Sequence, residues 1–358
     1  MTQRCLAYSI TDPSRPGGVE AVFQGVIAAC WDSGLPVTEL RADDCPLYLR
    51  PGTRRRLHLP SALRLFALLA RHRPTVVNVH FITAETWYFA LFKRLFGYRL
   101  ILSFHGSDLL LPDPQTAELL PAILARADAC TVVSRHMLGA LEGVSGVDMK
   151  NVHLVFNGID PDFWHPSPEP KKPGKTMLCA GRLEPVKGFD LLIESFARIS
   201  RALPDLRLVI VGDGSQRAEL EQQASAAGLQ DRITFTGFLD RDGLRAEYHK
   251  ADLFVMPSRS EGFPIALLEA MATGLPFVAA DVGGVTEIAT EATGVCIPPE
   301  NVSALSDALL RVFRDFDLQT AGHSARERAS EFSVAKAERR YVALISGTGR
   351  LSSEPLNA

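Results

Sequence analysis

The chain has 358 residues, of which 46% are hydrophobic and 22% charged, with 38 lysines and arginines against 41 aspartates and glutamates. That length suggests two domains of about 100–200 residues, and such a chain buries roughly three quarters of its unfolded surface without a disulfide or metal staple. Composition excludes disorder, collagen-like repeats and coiled coils, and a net charge of −3 gives no global attraction to nucleic acid.

Cysteines stand at 5, 30, 45, 130, 179 and 296, with no C-x-x-C pair. This spacing supports neither a zinc site nor a disulfide framework, so reduced thiols are expected. The first residues lack the basic-then-apolar order of a signal peptide. No uninterrupted apolar run approaches the ~18–20 residues that span a bilayer. The expectation is a soluble, cytoplasmic chain.

From the N-terminus, Cys5-Leu6-Ala7-Tyr8-Ser9 reads as a strand. The glycine turn Pro16-Gly17-Gly18-Val19-Glu20 follows and opens a helix; such a turn lets backbone approach a phosphate or sugar closely. Residues 50–99 then hold ten basic side chains (Arg50, Arg54, Arg55, Arg56, Arg64, Arg71, Arg73, Lys93, Arg94 and Arg99) against one acid, Glu85. Interleaved with them are Leu57, Leu65, Phe66, Phe89 and Phe92. Cationic amphipathic helices of this kind lie on anionic membrane surfaces. The same pattern also fits helices that pack on a sheet and turn their arginines to water. Both readings stay open at this level.

Strand-like runs continue at 76–80, 100–104, 129–133 and 152–156, then at 176–180, 207–211, 233–235, 253–256 and 277–280. Short apolar runs of this kind, ended by Gly, Asn, Ser or Asp, are what strands buried on both faces of a parallel sheet look like. Helical stretches such as 189–203 and 215–227 alternate with them, giving βαβ units twice over. Residues 161–174 contain five prolines and read as an inter-domain linker. The expected domains are 1–163 and 164–340, with a C-terminal helix at about 340–358 closing the first. Two doubly wound domains so joined would face a cleft with their strand carboxyl ends.

Three turns carry the chemistry. Residues 257–274 follow a strand, turn at Glu261-Gly262 and start a helix near Pro264, a favoured first helical residue. Amides at that helix start favour an anion such as a diphosphate. Glu261 in the loop and Glu269 in the helix could accept hydroxyls at different ends of one elongated ligand, as a sugar nucleotide would offer. In Gly181-Arg182-Leu183-Glu184-Pro185-Val186-Lys187-Gly188, two cations beyond a strand suit a diphosphate. His105-Gly106-Ser107-Asp108 follows a further strand.

Each piece alone is weak. A lone His105 would more often be a structural histidine, though its place after a strand favours a site. Glu269 alone would be a solvated carboxylate. Val211-Gly212-Asp213-Gly214 lacks the G-x-G-x-x-G fingerprint, which argues against a dinucleotide oxidoreductase. D-x-D triplets at 160–162, 240–242 and 315–317 are too frequent to signal a metal.

Together, as spaced, these residues resemble glycosyltransferase family 4, retaining enzymes of the GT-B fold. The matching pieces are Gly17-Gly18, His105-Gly106-Ser107-Asp108, Val133-Ser134, Asn157-Gly158-Ile159-Asp160, Gly181-Arg182-Leu183 with Lys187-Gly188, Val211-Gly212-Asp213-Gly214, Thr236-Gly237-Phe238, and Glu261-Gly262-Phe263-Pro264 with Glu269. They run from about residue 16 to 290 in the family's order. A closing helix that crosses back to the first domain is matched near Phe332-Ser333 to Tyr341.

The resemblance implies an α/β, GT-B architecture and sugar transfer from a nucleotide-diphosphate donor to an acceptor hydroxyl. It assigns Arg182 and Lys187 to the leaving diphosphate, helped by backbone around Gly262, Phe263, Pro264 and Ile265. Glu269 would hold the ribose and Glu261 the donor sugar. His105 would touch the sugar from the opposite domain, Gly17 and Gly18 the reacting phosphate, and backbone near Gly237 and Phe238 the base. No metal and no cofactor is expected beyond the donor itself. The acceptor expected is a glycan, a lipid-linked sugar or a small molecule, in cell-surface polysaccharide or glycolipid synthesis; on the membrane reading of residues 50–99, an anionic surface at the inner face of the membrane is a further expected partner. A phosphorylase or synthase on a soluble acceptor, an epimerase and a non-catalytic transferase partner are the alternatives; intact Arg182, Lys187 and Glu269 argue against the last.

Overall fold

The computed structural model describes residues 3–11, 17–49, 57–169 and 174–348. Pro16, Arg50, Arg54, Arg55 and Arg56, residues 170–173 of the expected linker and residues 349–358 of the expected closing helix lie outside the described residues.

Strand and helix alternate throughout. In chain order come β1 (Cys5–Ser9), α1 (Gly18–Asp32), β2 (Val37–Arg41), α2 (Leu59–His72), β3 (Val76–His80), α3 (Trp87–Phe96), β4 (Arg99–Ser103), α4 (Ser107–Leu110), α5 (Pro114–Leu124), β5 (Ala129–Val132), α6 (Arg135–Glu142) and β6 (Val152–Leu154). The second set is β7 (Thr176–Ala180), α7 (Phe189–Ile199), β8 (Arg207–Val211), α8 (Arg217–Ala226), β9 (Ile233–Gly237), α9 (Arg241–Lys250), β10 (Leu253–Met256), α10 (Ile265–Ala272), β11 (Phe277–Ala280), α11 (Val285–Ile288) and β12 (Gly294–Ile297). Helices α12 (Val302–Asp315), α13 (Leu318–Ser330) and α14 (Val334–Ser346) end the described chain.

The strands form two six-stranded sheets, β2-β1-β3-β4-β5-β6 and β12-β11-β10-β7-β8-β9, and their pairings are parallel. Strands β1, β3, β5, β10 and β11 are buried along their whole length, as continuous apolar runs between two helical layers must be. Two strands escape the apolar-run criterion. In β2, Thr38 and Glu39 are not buried, and in β12, Val295 and Cys296 are not. Both are edge strands, covered on one side only.

Contacts divide the chain into Met1–Asn157 with Val334–Ala358, and Gly158–Ser333. In the first unit, Tyr341, Leu344 and Ile345 of α14 complete a core with Phe23, Val26 and Cys30 of α1. At the point where the chain enters and leaves the second unit, Ile159 donates its amide to Phe332 O at 3.0 Å and forms a bridge with Ser333.

The segment read as a linker is in part a packed element. Trp164 is buried, with its ring 5.7 Å from Tyr248, while Arg241 and Arg245 of α9 each stack 4.2 Å from the Phe163 ring. Prolines prevent regular structure there but do not keep aromatic side chains out of a core.

The basic window also divides. Leu65 and Phe89 are core residues, Leu57 and Phe66 are exposed, and Phe92 is half-buried. Helix α2 thus has two apolar faces, one inward through Leu65 and Leu69 and one outward through Leu59, Leu63 and Phe66.

Candidate functional site

In the second sheet the chain builds outward from β7 in both directions, so β7 and β10 are neighbours whose following loops diverge. Ligands of open α/β sheets bind beyond the strand ends at such a reversal. The loop after β7 carries Arg182 and Lys187, and the loop after β10 carries Glu261 to Pro264.

The two loops are fastened together. Arg259 grips Asp190 with both terminal nitrogens, at 2.9 and 2.7 Å, and its amide donates to Val186 O at 2.8 Å. Gly188 adopts φ 68, and a Cβ there would come within 2.2 Å of Pro257 O. Only glycine therefore allows this backbone approach. Across the junction, Lys187 Nζ lies 2.7 Å from Glu261 Oε1. Ser258 donates to the same carboxylate oxygen at 2.7 Å. Glu261 is 8% exposed, so its charge is held by a partner and a hydroxyl, as a buried carboxylate needs. Gly284 donates to Gly262 O at 3.0 Å from the loop beyond β11. Arg182 is exposed beside this junction in sequence, just past Gly181 at φ 158.

Helix α10 begins one residue later than expected. Pro264 occupies the position before it, with φ −77 and ψ 107, and Ile265 is the first helical residue. Gly262, Phe263 and Pro264 are buried, whereas Ile265 is half-buried. Glu269 lies in the second turn, with Oε2 3.3 Å from the Tyr248 hydroxyl. Burial pushes its pKa up to about 8, against the opposing pull of Tyr248 and the Arg241 charge. At neutral pH the free protein therefore holds Glu269 largely protonated. Gly237, which ends β9 at φ 76, accepts from the amide of Gly212, just beyond β8, at 2.9 Å, and the following Phe238 is 48% exposed.

His105, Gly17 and Gly18 belong to the first unit. His105 is buried, with Nε2 3.1 Å from His80 Nδ1. Asn78 Nδ2 lies 2.7 Å from His80 Nε2, and Ser103 donates to Asn78 Oδ1 at 3.0 Å. Burial lowers the His105 pKa to about 4 and that of His80 well below the usual histidine range, so both rings are neutral. The His105 Nδ1 is buried without a hydrogen-bond partner. Asp108 accepts from the amides of Ile82, His105 and Gly106 at 3.0, 3.0 and 2.8 Å, tying the loops after β3 and β4. Burial nevertheless lifts its pKa to about 6. Gly106, at φ 152, has the backbone this turn needs.

Gly17 precedes α1, and a Cβ there would meet nothing within 4 Å. Behind this helix start lies a pair that motif reading missed. Arg41 grips both Glu20 oxygens at 2.6 Å, with Phe23 stacked 4.8 Å from the guanidinium. Motif reading also missed Ser258, Tyr248, Asn78 and the Arg259–Asp190 clamp. Polar residues within or just past apolar strands, such as Asn78-Val79-His80, are the one sequence signal that could have found part of this set. Among the described residues no group of three or more His, Cys, Asp or Glu gathers in a metal-holding arrangement.

Two parallel six-stranded sheets, each with its own helices and with polar loops past the strand ends, define a GT-B protein. A model of glycosyl transferases group 1 matches residues 160–329, and one of Glycosyltransferase Family 4 matches residues 23–163. The chain belongs to glycosyltransferase family 4. An alpha-D-kanosaminyltransferase of Streptomyces kanamyceticus is 35% identical over 164 residues, covering 45% of this chain and 42% of that protein. A GDP-mannose-dependent alpha-(1-6)-phosphatidylinositol monomannoside mannosyltransferase of Mycolicibacterium smegmatis is 32% identical over 239 residues, covering 61% and 62%. The chain thus spans between two fifths and two thirds of the length of these relatives. The structure of Anabaena HepE in complex with UDP and glucose superposes with a TM-score of 0.78 at 19% identity, over 96% of this chain and 100% of that one.

Proposed function

We propose that this protein transfers a sugar from a nucleotide-diphosphate donor to an acceptor hydroxyl, with retention at the anomeric carbon. The observation that carries this reading is the clamped junction at the reversal of the second sheet. It sets Lys187 against Glu261 at the foot of α10, beside the helix amides. The UDP and glucose named for the HepE complex and the glycolipid acceptor named for the mycobacterial relative support it.

In the reaction, the acceptor oxygen bonds to the anomeric carbon on the face the diphosphate leaves, the bond to the diphosphate oxygen breaks with its electron pair going to the diphosphate, and the acceptor hydroxyl's proton passes to that leaving oxygen. Lys187 and Arg182 face the charge that develops there, where fixed cations count most. Backbone from Gly262 to Ile265 adds oriented amides. As the donor enters, the Lys187 ammonium exchanges part of its contact with Glu261 for a phosphate oxygen, which frees the Glu261 carboxylate to accept a sugar hydroxyl. Glu269 binds the ribose hydroxyls. No metal is needed to neutralise the diphosphate in this scheme, and turnover is expected to survive EDTA. The acceptor is of the glycolipid, lipopolysaccharide or polysaccharide type.

The test is a thermal-shift screen of UDP-, GDP- and ADP-sugars. A donor at 100 times its Kd adds about 2.7 kcal/mol of stability. Proton NMR of the product then gives the anomeric configuration. Stabilisation by one nucleotide family and a product with the donor's configuration are expected. No shift with any sugar nucleotide, or an inverted product, overturns the reading.

A further inference from the structure

The outward face of α2 is the opposite of what a surface helix of a globular protein presents. Such a helix shows one apolar stripe to the core and a polar face to water. In α2 the core stripe is present through Ser61, Leu65 and Leu69, all buried. Leu59, Leu63 and Phe66, at i, i+4 and i+7, form a second stripe on the far side, 62, 59 and 42% exposed. The stripe does not stop at the helix edge. The Phe66 ring lies 5.2 Å from Phe96 and 6.1 Å from Phe92 of α3. On α3 itself Leu91 and Leu95 are 37 and 66% exposed. Half of the ten exposed large hydrophobic side chains among the described residues therefore sit on these two adjoining helices.

The charged side chains of these two helices are all basic, and one of them, Lys93 of α3, is already paired with Asp128 at 2.7 Å. Arg64, Arg71, Arg73 and Arg94 are exposed, and between residues 57 and 99 the sole acid is Glu85. Apolar side chains on their own would suit any partner. Exposed arginines with long apolar stems on the same two helices select a surface that is both apolar and anionic, since the stems lie along the apolar layer while guanidinium groups reach phosphates. Two adjoining helices with leucines standing outward have the form of an interfacial anchor, whose apolar face sinks about 5–10 Å into the headgroup boundary.

We propose that the α2–α3 face docks on an anionic phospholipid bilayer. This goes beyond the transfer reaction and does not depend on it. The partner is the lipid surface itself, held by Leu59, Leu63, Phe66 and Leu95 together with Arg71 and Arg94. No helix of the described chain is long and apolar enough to cross a membrane; the mode proposed is attachment in the plane of one leaflet.

The experiment is flotation of the full chain with vesicles of phosphatidylcholine alone or mixed with phosphatidylglycerol, at low and high salt. The wild type floats with the phosphatidylglycerol vesicles at low salt and less at high salt, because surface charges are screened. Leu63→Ser with Leu95→Ser reduces partitioning by about tenfold or more, as expected for apolar side chains withdrawn from water. Arg71→Glu and Arg94→Glu each reduce it at least about fivefold. All of these positions are exposed, and melting temperatures close to wild type verify the fold. Turnover on a soluble acceptor stays at the wild-type level in each variant, which separates loss of docking from loss of chemistry. Wild type left at the bottom of the low-salt gradient, or variants that float like wild type, overturn the proposal. So does sedimentation showing a wild-type dimer that the leucine variant converts to monomer, since the face would then hold a second copy of the chain.

Discussion

The strand ends of the two sheets are finished differently. At the ends of β3 and β4 in the first unit, polar groups mostly face one another in the interior: neutral His80 against neutral His105, whose Nδ1 is left without a partner, and Asp108 closed over three amides. Past β7 and β10 in the second unit, the polar groups are charged and partly open, with Arg182 exposed and Lys187 a quarter exposed against a nearly buried Glu261. Parallel sheets covered on both faces leave only their ends for polar side chains, so both units concentrate them there. Both ends use polar groups to hold loops together, but the second also leaves the Arg182 cation exposed. Outside the strand ends the contrast reverses, because the first unit carries the exposed apolar helices, whereas among the described residues of the second only Phe238 is an exposed large hydrophobic.

Lys187→Ala is the sharpest way to break this contrast. If the open end does the chemistry, kcat falls by about 10²–10³, the loss seen when one stabiliser of developing negative charge is removed. The melting temperature stays within a few degrees of wild type, because Ser258 still holds Glu261. Steady-state kinetics on the donor found by the thermal-shift screen, alongside a melting curve, measures both. Wild-type turnover would place the chemistry elsewhere.

Asp108→Ala probes the sealed end, and its effect is expected on stability. Three amides lose their acceptor in the interior, at about 1–3 kcal/mol for each group left unsatisfied. Partial relaxation and water entry leave about 3 kcal/mol in denaturant unfolding. A loss below about 0.5 kcal/mol would show that the loops after β3 and β4 are held by something other than this carboxylate.

Glu269→Gln has the smallest expected effect and reports on pH. In the folded chain the carboxyl titrates near 8, against an ordinary value of 4.5. Between those values the folded state keeps a proton that the unfolded state has released, so stability contributed by the neutral form is present at pH 4 and is lost as pH rises through 8. Unfolding of the Gln variant should lack this decline, gaining ~2 kcal/mol relative to wild type at pH 9 compared with pH 5 once partial exposure is allowed for. Parallel pH profiles for the two proteins would place the carboxylate in water.

Much of the site was legible because its residues belong to contiguous turns. Gly181 to Gly188 and Glu261 to Glu269 can each be read as strand, turn and helix start, with cations or carboxylates at fixed offsets. What the turns do to one another was not legible. Lys187 and Glu261 are 74 positions apart, and each taken alone reads as a side chain offered to a ligand; folding brings them into one ion pair. Arg259 and Asp190 give no motif at all, since a clamp between loops needs two complementary charges at whatever positions the strand order happens to bring together.

The sequence by itself determined the alternation of strand and helix, since a run buried on both faces must be apolar throughout. It also determined that residues 57–99 hold amphipathic, basic helices. Which apolar residues of those helices are core was left to the tertiary structure. In α2, Leu65 and Leu69 repeat at helical spacing, and so do Leu59, Leu63 and Phe66. Periodicity shows that a face exists but not which way it turns. Packing buries one of the two and leaves the other in solvent. That choice depends on what stands beside the helix, α3 and the loop at Pro46–Tyr48 that bonds Ser61 among them, and no window of neighbouring residues contains it.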